Sequence, residues 1–267
     1  MKYILLFLCV LCLSCKYNVA NPVGTLKDYT AGSGKTYYVS SSSSVAEIED
    51  ALRKNKHSLG KYKIVVSSSS DANTQILTNI ATALKNNSSF NNVEADITKT
   101  KITEIPANIF KDIVNLSSIA LPDTVKKVGN NAFSGCASLA NVRFSSGLTE
   151  ISERAFSNCS SLTLVMLSSE SLKTISKNAF SGCSSLVNLI LSAGLTNIDS
   201  SAFSGCSKLV NVEYLGNNKS INGSPFSSGS NPNNLYLPSM DGTTNKINST
   251  FLGKSWATIN YGKHIPN

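Results

Sequence analysis

The sequence is poor in the residues from which metal sites and hydrolytic centres are built: it holds two histidines (His57 and His264), one tryptophan and three methionines among 267 residues. Charge is scarce too, at 15% of residues, while 41% are hydrophobic, which excludes an extended polyelectrolyte and leaves a chain that folds. No apolar run approaches the roughly 20 residues of a membrane-spanning helix. The net charge of +8 invites a nucleic-acid partner. Residues 102–237, however, carry nine basic and eight acidic residues, so the surplus lies in the flanks. Counterion release needs cations gathered on one face, and no nucleic-acid binding is expected.

The densest apolar run, Ile4 to Leu13 behind Lys2, has the length of a signal-peptide core, and residues 1–14 are assigned to such a leader. Leu11-Cys12-Leu13-Ser14-Cys15 resembles a bacterial lipobox, in which a small residue precedes a cysteine acylated through its thiol. Cys12 stands where that pattern prefers Leu. The resemblance implies a lipid on Cys15 and hence a membrane partner, with residues 15–34 as a flexible tether containing Asn21-Pro22 and Gly32-Ser33-Gly34. Each buried acyl methylene contributes about 0.8 kcal/mol, so more than one chain makes attachment stable. The other reading is plain secretion after Ala20, where Asn18 fits the small-residue rule poorly.

Beyond the leader and Cys15, four cysteines remain, Cys136, Cys159, Cys183 and Cys206, at spacings of 23, 24 and 23. These spacings are a repeat period rather than a zinc signature: no two of the four stand in CxxC, and the histidines are remote in sequence. Equivalent residues of stacked coils lie about 4.8 Å apart, beyond the ~3.5–4.5 Å between Cβ atoms that a disulfide wants. Four buried free thiols are therefore expected, acting as small hydrophobes.

The same period organises the middle of the chain. Phe110, Phe133, Phe156, Phe180, Phe203 and Phe226 follow one another at 23, 23, 24, 23 and 23 residues. Nine residues after each Phe stands Ile119, Val142, Val165, Leu189, Val212 or Leu235, and eleven after stands Leu121, Phe144, Leu167, Leu191, Tyr214 or Leu237. These two positions alternate as one face of a short strand. A later aliphatic column, Val128, Ile151, Ile175, Ile198 and Ile221, closes the coil. Two residues after Phe, Gly135, Asn158, Gly182 and Gly205 are types that tolerate positive φ, which predicts a left-handed turn. Self-similarity at 20 to 29 residues with an LxxVxL strand marks a leucine-rich-repeat solenoid, whose coils persist only by stacking.

Asn130-Asn131-Ala132-Phe133-Ser134-Gly135-Cys136-Ala137-Ser138-Leu139 and Lys177-Asn178-Ala179-Phe180-Ser181-Gly182-Cys183-Ser184-Ser185-Leu186 resemble BspA-like leucine-rich repeats. The resemblance covers residues 93 to about 237, with Ala95-Asp96-Ile97, Ile102 and Ile105 as a degenerate first coil. It implies an α/β fold in which a leucine-rich-repeat solenoid of about six to seven 23-residue coils occupies 93–237. Thr36 to Ser40 and Lys61 to Val66 are strand-like, and Val45-Ile48-Leu52 and Ile76-Ile80-Leu84 have helical spacing, giving an N-terminal β-α-β-α cap over 35–92. Residues 238–267, with Phe251, Trp256 and Ile259, form a short C-terminal cap. Trp256 is assigned to the core of that cap rather than to a binding site.

Chemistry-bearing motifs do not survive inspection. Gly34-Lys35-Thr36 lacks the upstream Gly of a phosphate-binding loop, because Tyr29 stands there. The serine runs 40–44 and 67–70 have no histidine with a reason to lie beside them. No catalytic residue, metal or cofactor is expected. The surface suggests binding instead. Residues eight and ten after each Phe point away from the core, forming the columns Ser118, Asn141, Leu164, Asn188, Asn211, Asn234 and Ala120, Arg143, Met166, Ile190, Glu213, Tyr236 on the concave face. Leu164, Met166 and Ile190 make an apolar island flanked by Arg143, Glu213 and Tyr236, the kind of patch that marks protein contact. The family resemblance implies an exported lipoprotein of a bacterial outer membrane or cell surface that contacts host proteins, matrix or neighbouring cells. The alternative is a periplasm-facing scaffold with no external ligand.

Overall fold

A computed structural model describes residues 34–67, 73–219, 221–243, 247 and 250–266, all within one compact unit, Ala31–Asn267. The expected leader, the Cys15 lipid site and nearly all of the tether lie outside the described residues. The chain opens with helix α1 (Val45–Leu59), strand β1 (Lys63–Val65), helix α2 (Gln75–Asn86) and strand β2 (Val93–Asp96). Short and long strands then alternate: β3 (Glu104–Ile105), β4 (Leu116–Ala120), β5 (Lys127–Val128), β6 (Asn141–Arg143), β7 (Glu150–Ile151), β8 (Leu164–Met166), β9 (Thr174–Ile175) and β10 (Asn188–Leu191). After β11 (Asn197–Ile198), β12 (Asn211–Tyr214) and β13 (Asn234–Leu237) come the hairpin β14 (Thr250–Phe251) and β15 (Lys254–Ser255) and the last strand β16 (Thr258–Tyr261). The fold is a β-solenoid of about seven turns of ~23 residues, with two helices at its start.

Each coil places its two strands in separate parallel sheets. The short strands stack in the order β3-β5-β7-β9-β11 and bury the closing aliphatics Ile105, Val128, Ile151, Ile175 and Ile198. The long strands stack with matched register, Val165 against Leu189, Val212, Leu235 and then Ile259, so each of these strands adds one aliphatic residue to the same interior column. A one-residue slip would turn that column outward, which is why a 23-residue period holds the register.

The turns between the sheets carry the aromatic spine. Phe110, Phe133, Phe156, Phe180 and Phe203 are wholly buried, with successive ring centroids 5.2, 5.0, 5.1 and 5.3 Å apart and nearly parallel planes. Aromatic pairs at such separations add about 0.5–1.5 kcal/mol beyond area burial. The spine ends on Phe226, against which Trp256 stands edge-on at 5.8 Å, and the indole N–H donates to the Phe251 carbonyl at 3.0 Å. Trp256 thus belongs to the core.

The cysteines lie beside this spine, buried and unbridged. Each thiol also donates to the Phe carbonyl of the preceding coil: Cys136 to Phe110 at 3.0 Å, Cys159 to Phe133 at 3.2 Å, Cys183 to Phe156 and Cys206 to Phe180 at 3.3 Å. A thiol therefore does more here than a small hydrophobe would, because it gives a buried carbonyl that already accepts a main-chain N–H a second donor. Burial pushes the Cys136 thiol up to about 12 and raises Cys159 well above its ordinary range. Cys183 is raised as well, by the neighbouring Cys206 thiol and by burial.

Gly135, Asn158, Gly182 and Gly205 have φ of +76°, +58°, +75° and +72°, the left-handed turn that their types predict. A second left-handed column, two residues before each Phe, holds Asn108, Asn131, Arg154, Asn178 and Ser201. Each coil therefore reverses direction at two left-handed residues that bracket the buried ring.

The N-terminal unit joins the same sheet. Ser44 and Glu47 form a capping box at the start of α1, and Gly60 ends it in a left-handed turn. Strand β1 pairs with β2, and β2 with β4, so the sheet runs without interruption from the helical unit into the first coil. Asn115 ties the end of α2 to that coil, its amide donating to the carbonyls of Leu84 (3.0 Å) and Asn87 (3.2 Å). The strand expected at Thr36–Ser40 is reduced to one bridge, Val39 to Val66. The buried Asn55 side chain instead takes both main-chain groups of Tyr37 and the Lys63 carbonyl, doing the work of a ladder.

Candidate functional site

The long-strand sheet is not continuous. It divides into β1-β2-β4-β6 and β8-β10-β12-β13-β16, with a break between β6 and β8. The break coincides with Phe144, the one phenylalanine in a column otherwise filled by Leu and Tyr214. Its ring lies edge-on to Phe156 at 5.4 Å and to Phe180 at 6.4 Å. The interior spine stays stacked across this point, so only the strand ladder is interrupted.

Strand β8 borders the break and carries Leu164 and Met166 outward, each 41% exposed. Register sets Met166 beside Ile190 and Leu164 beside Asn188. The structure therefore brings Leu164, Met166 and Ile190 together as the sequence predicts, with Ile190 half-buried. Two further exposed apolar residues, Val187 and Val210, sit just before β10 and β12 on adjacent coils. Their signal lies seven residues after Phe, in the column Ser117, Ala140, Thr163, Val187, Val210, Asn233. Beside this surface runs a side-chain ladder: Asn211 donates to Asn188 and Asn234 to Asn211, both at 2.8 Å.

The two charges expected to rim the island are not free. Arg143, on β6, donates to the Leu121 carbonyl at 2.6 Å and to both carboxylate oxygens of Asp123 at 3.2 and 3.0 Å. Partial burial works against the charged form of Asp123. The Ser146 N–H and the Arg143 guanidinium outweigh it and hold that carboxyl below the usual range. Glu213 departs from expectation more sharply: it is 3% exposed rather than open on the face. Its Oε1 pairs with His264 Nδ1 at 2.5 Å, and its Oε2 accepts the Ile265 main-chain N–H at 2.9 Å. Residues more than 50 positions later in the chain thus cover a site that strand alternation alone turns outward. Tyr236, next to Glu213 by register on β13, is half-buried.

Among the described residues no group of three or more His, Cys, Asp or Glu side chains could hold a metal ion, and no helix is long and apolar enough to cross a membrane. What the face offers is a rigid parallel sheet with apolar side chains, an amide ladder and internally paired charges. Such a surface can bind by shape and burial.

Residues 103–233 match, in six copies, the family described as the BspA type leucine-rich repeat region. This segment is thus similar to BspA-type leucine-rich-repeat arrays. Leucine-rich-repeat arrays of this kind are typically non-enzymatic binding proteins. The chain is similar to a leucine-rich-repeat protein of T. pallidum, with 26% identity over 62% of this chain and 68% of that one and a TM-score of 0.44. It is also similar to a leucine-rich cell surface protein of Faecalibacterium prausnitzii A2-165, with 34% identity over 46% of this chain and 32% of that one, and a TM-score of 0.44. The pneumococcal vaccine antigen PcpA shares 16% identity over 56% of this chain and 37% of its own, with a TM-score of 0.42. The match thus spans about a third of the length of the latter two proteins. No curated protein matches the chain.

Proposed function

We propose that the protein is a non-enzymatic surface lipoprotein, held to a bacterial outer membrane or cell surface through Cys15, whose long-strand face binds proteins of host or neighbouring cells or of matrix. The observation that carries this is the apolar surface of Leu164, Met166 and Ile190, which strand register sets side by side on adjacent coils. Exposed apolar side chains gathered on one face favour association, because burying them releases water. Tyr236 continues the face, and the paired Arg143 and Glu213 shape its rim. The lipobox resemblance supports the anchor, and the similarity to a described cell surface protein supports its location.

Two measurements test this reading. A folded variant with Met166→Glu and Ile190→Glu should lose binding to cells and matrix proteins; retained binding would remove the face from consideration. Protease shaving of intact cells should release the array, and Cys15→Ser should abolish incorporation of radiolabelled fatty acid. Protection from shaving would favour a periplasm-facing scaffold instead.

A further inference from the structure

One carboxylate on the long-strand face is treated unlike every other outward residue of its column. Ala120, Arg143, Met166, Ile190 and Tyr236 are at least partly open, whereas Glu213 is 3% exposed. Its register neighbours, Ile190 on β10 and Tyr236 on β13, carry no positive charge. A carboxylate out of water costs free energy unless donors meet it. Here they come from the segment after β16. Gly262, at φ +63°, turns the chain and donates to the carbonyls of Leu237 at 3.0 Å and Met240 at 2.9 Å. The segment then reaches back past β13 to β12, where His264 meets Oε1 and the Ile265 N–H meets Oε2. Both oxygens are engaged by two consecutive residues, one through a side chain and one through the main chain.

This is how an extended peptide is held. The strap is also weakly walled: His264 keeps 71% of its side chain exposed, and Lys263 and Pro266 are exposed too. We infer that the face at Glu213 is a binding site for an extended basic peptide of a partner protein, and that residues 262–266 occupy it as a replaceable internal ligand. The fitting partner presents a His, Lys or Arg to one carboxylate oxygen and the next main-chain N–H to the other. This rests on the reading of the long-strand face as a contact surface and adds the chemistry of the partner. A tethered occupant acts at an effective concentration on the order of millimolar, so a partner must compete with it or bind once it has lifted.

The test needs no cell or outside protein. In the intact chain, hydrogen exchange at the Ile265 amide should be at least tenfold slower than in an unstructured peptide, and Glu213→Ala should restore the unstructured rate. Alanine already occupies the equivalent position on β4, at Ala120, so the sheet tolerates it. Next, the acetylated peptide Gly262–Pro266 is titrated by NMR into the full chain carrying His264→Ala and Ile265→Pro, which removes the imidazole and the N–H. Binding should be at least tenfold tighter than to the unaltered chain, vanish when Glu213→Ala is added, and weaken at least fivefold when the peptide itself carries His264→Ala. Unprotected Ile265 in the unaltered chain would overturn the proposal. So would a peptide that ignores the opened chain or binds irrespective of Glu213. Loss of cell binding in the Met166→Glu, Ile190→Glu variant reports on the functional reading alone, so the two can fail separately.

Discussion

The inward and outward columns of the array obey different rules. Inward, Phe, Cys and the aliphatic positions recur coil after coil, because each is packed against its own copy in the coils before and after. Outward, the column ten residues after Phe runs Ala, Arg, Met, Ile, Glu, Tyr with no residue repeated. The interior is under a translational constraint that this outward column escapes, while the outward column eight after Phe keeps it only in the Asn188, Asn211 and Asn234 ladder. The repeated columns therefore carry stability, and the variable ones carry whatever distinguishes this array from another.

If that division holds, Phe156→Ala has the largest effect. The ring is fully buried between Phe133 and Phe180, and loss of a buried Phe costs about 3–5 kcal/mol. In a nearest-neighbour array such a loss in the middle also weakens the coupling of the two halves, and urea unfolding should show the midpoint fall. Gly194→Ala comes next, at about 1–3 kcal/mol for a forced overpacking. A Cβ there would lie within 1.8 Å of the Glu170 carbonyl oxygen, and main-chain atoms cannot swing aside. Thermal melting of the purified variant measures it.

The buried thiols add a pH dependence. Cys136 is raised from 9.0 to about 12 by burial, so between those values the unfolded chain loses a proton that the folded chain keeps. The unfolded state then binds fewer protons, and stability falls as pH rises from about 9 towards 12. Below 9 the contribution is complete. Urea unfolding at pH 8 and pH 10.5 should show that loss, and Cys136→Ala should reduce it while leaving the share of Cys159 and Cys183. Met166→Glu is expected to matter least for folding, within about 0.5 kcal/mol as for an ordinary surface change. A large destabilisation there would break the division between inward and outward columns.

The repeat, its strands and the left-handed Gly and Asn column were legible because each reflects a residue type that the local backbone or core demands. The second left-handed column was not, because Arg154 and Ser201 do not announce positive φ. Those residues adopt it where the turn must close on the coil length that stacking imposes. Strand Thr36–Ser40 was overestimated for a related reason: propensity is local, while Asn55, some 18 residues on, satisfies the main chain of Tyr37. Of the expected surface group, Leu164, Met166 and Ile190 come together as alternation predicts. Arg143 and Glu213 are engaged by partners 20 to 52 residues away in the chain.

By itself the sequence determined the period, the side of the strand each column occupies and the identity of the buried spine, since a repeated core residue can be satisfied only by its own copies at a fixed interval. The tertiary structure alone decided where the long-strand sheet breaks, which outward charges are consumed internally and that residues 262–266 lie over Glu213. Those features depend on contacts between segments remote in the chain, and no periodicity encodes a contact that occurs once.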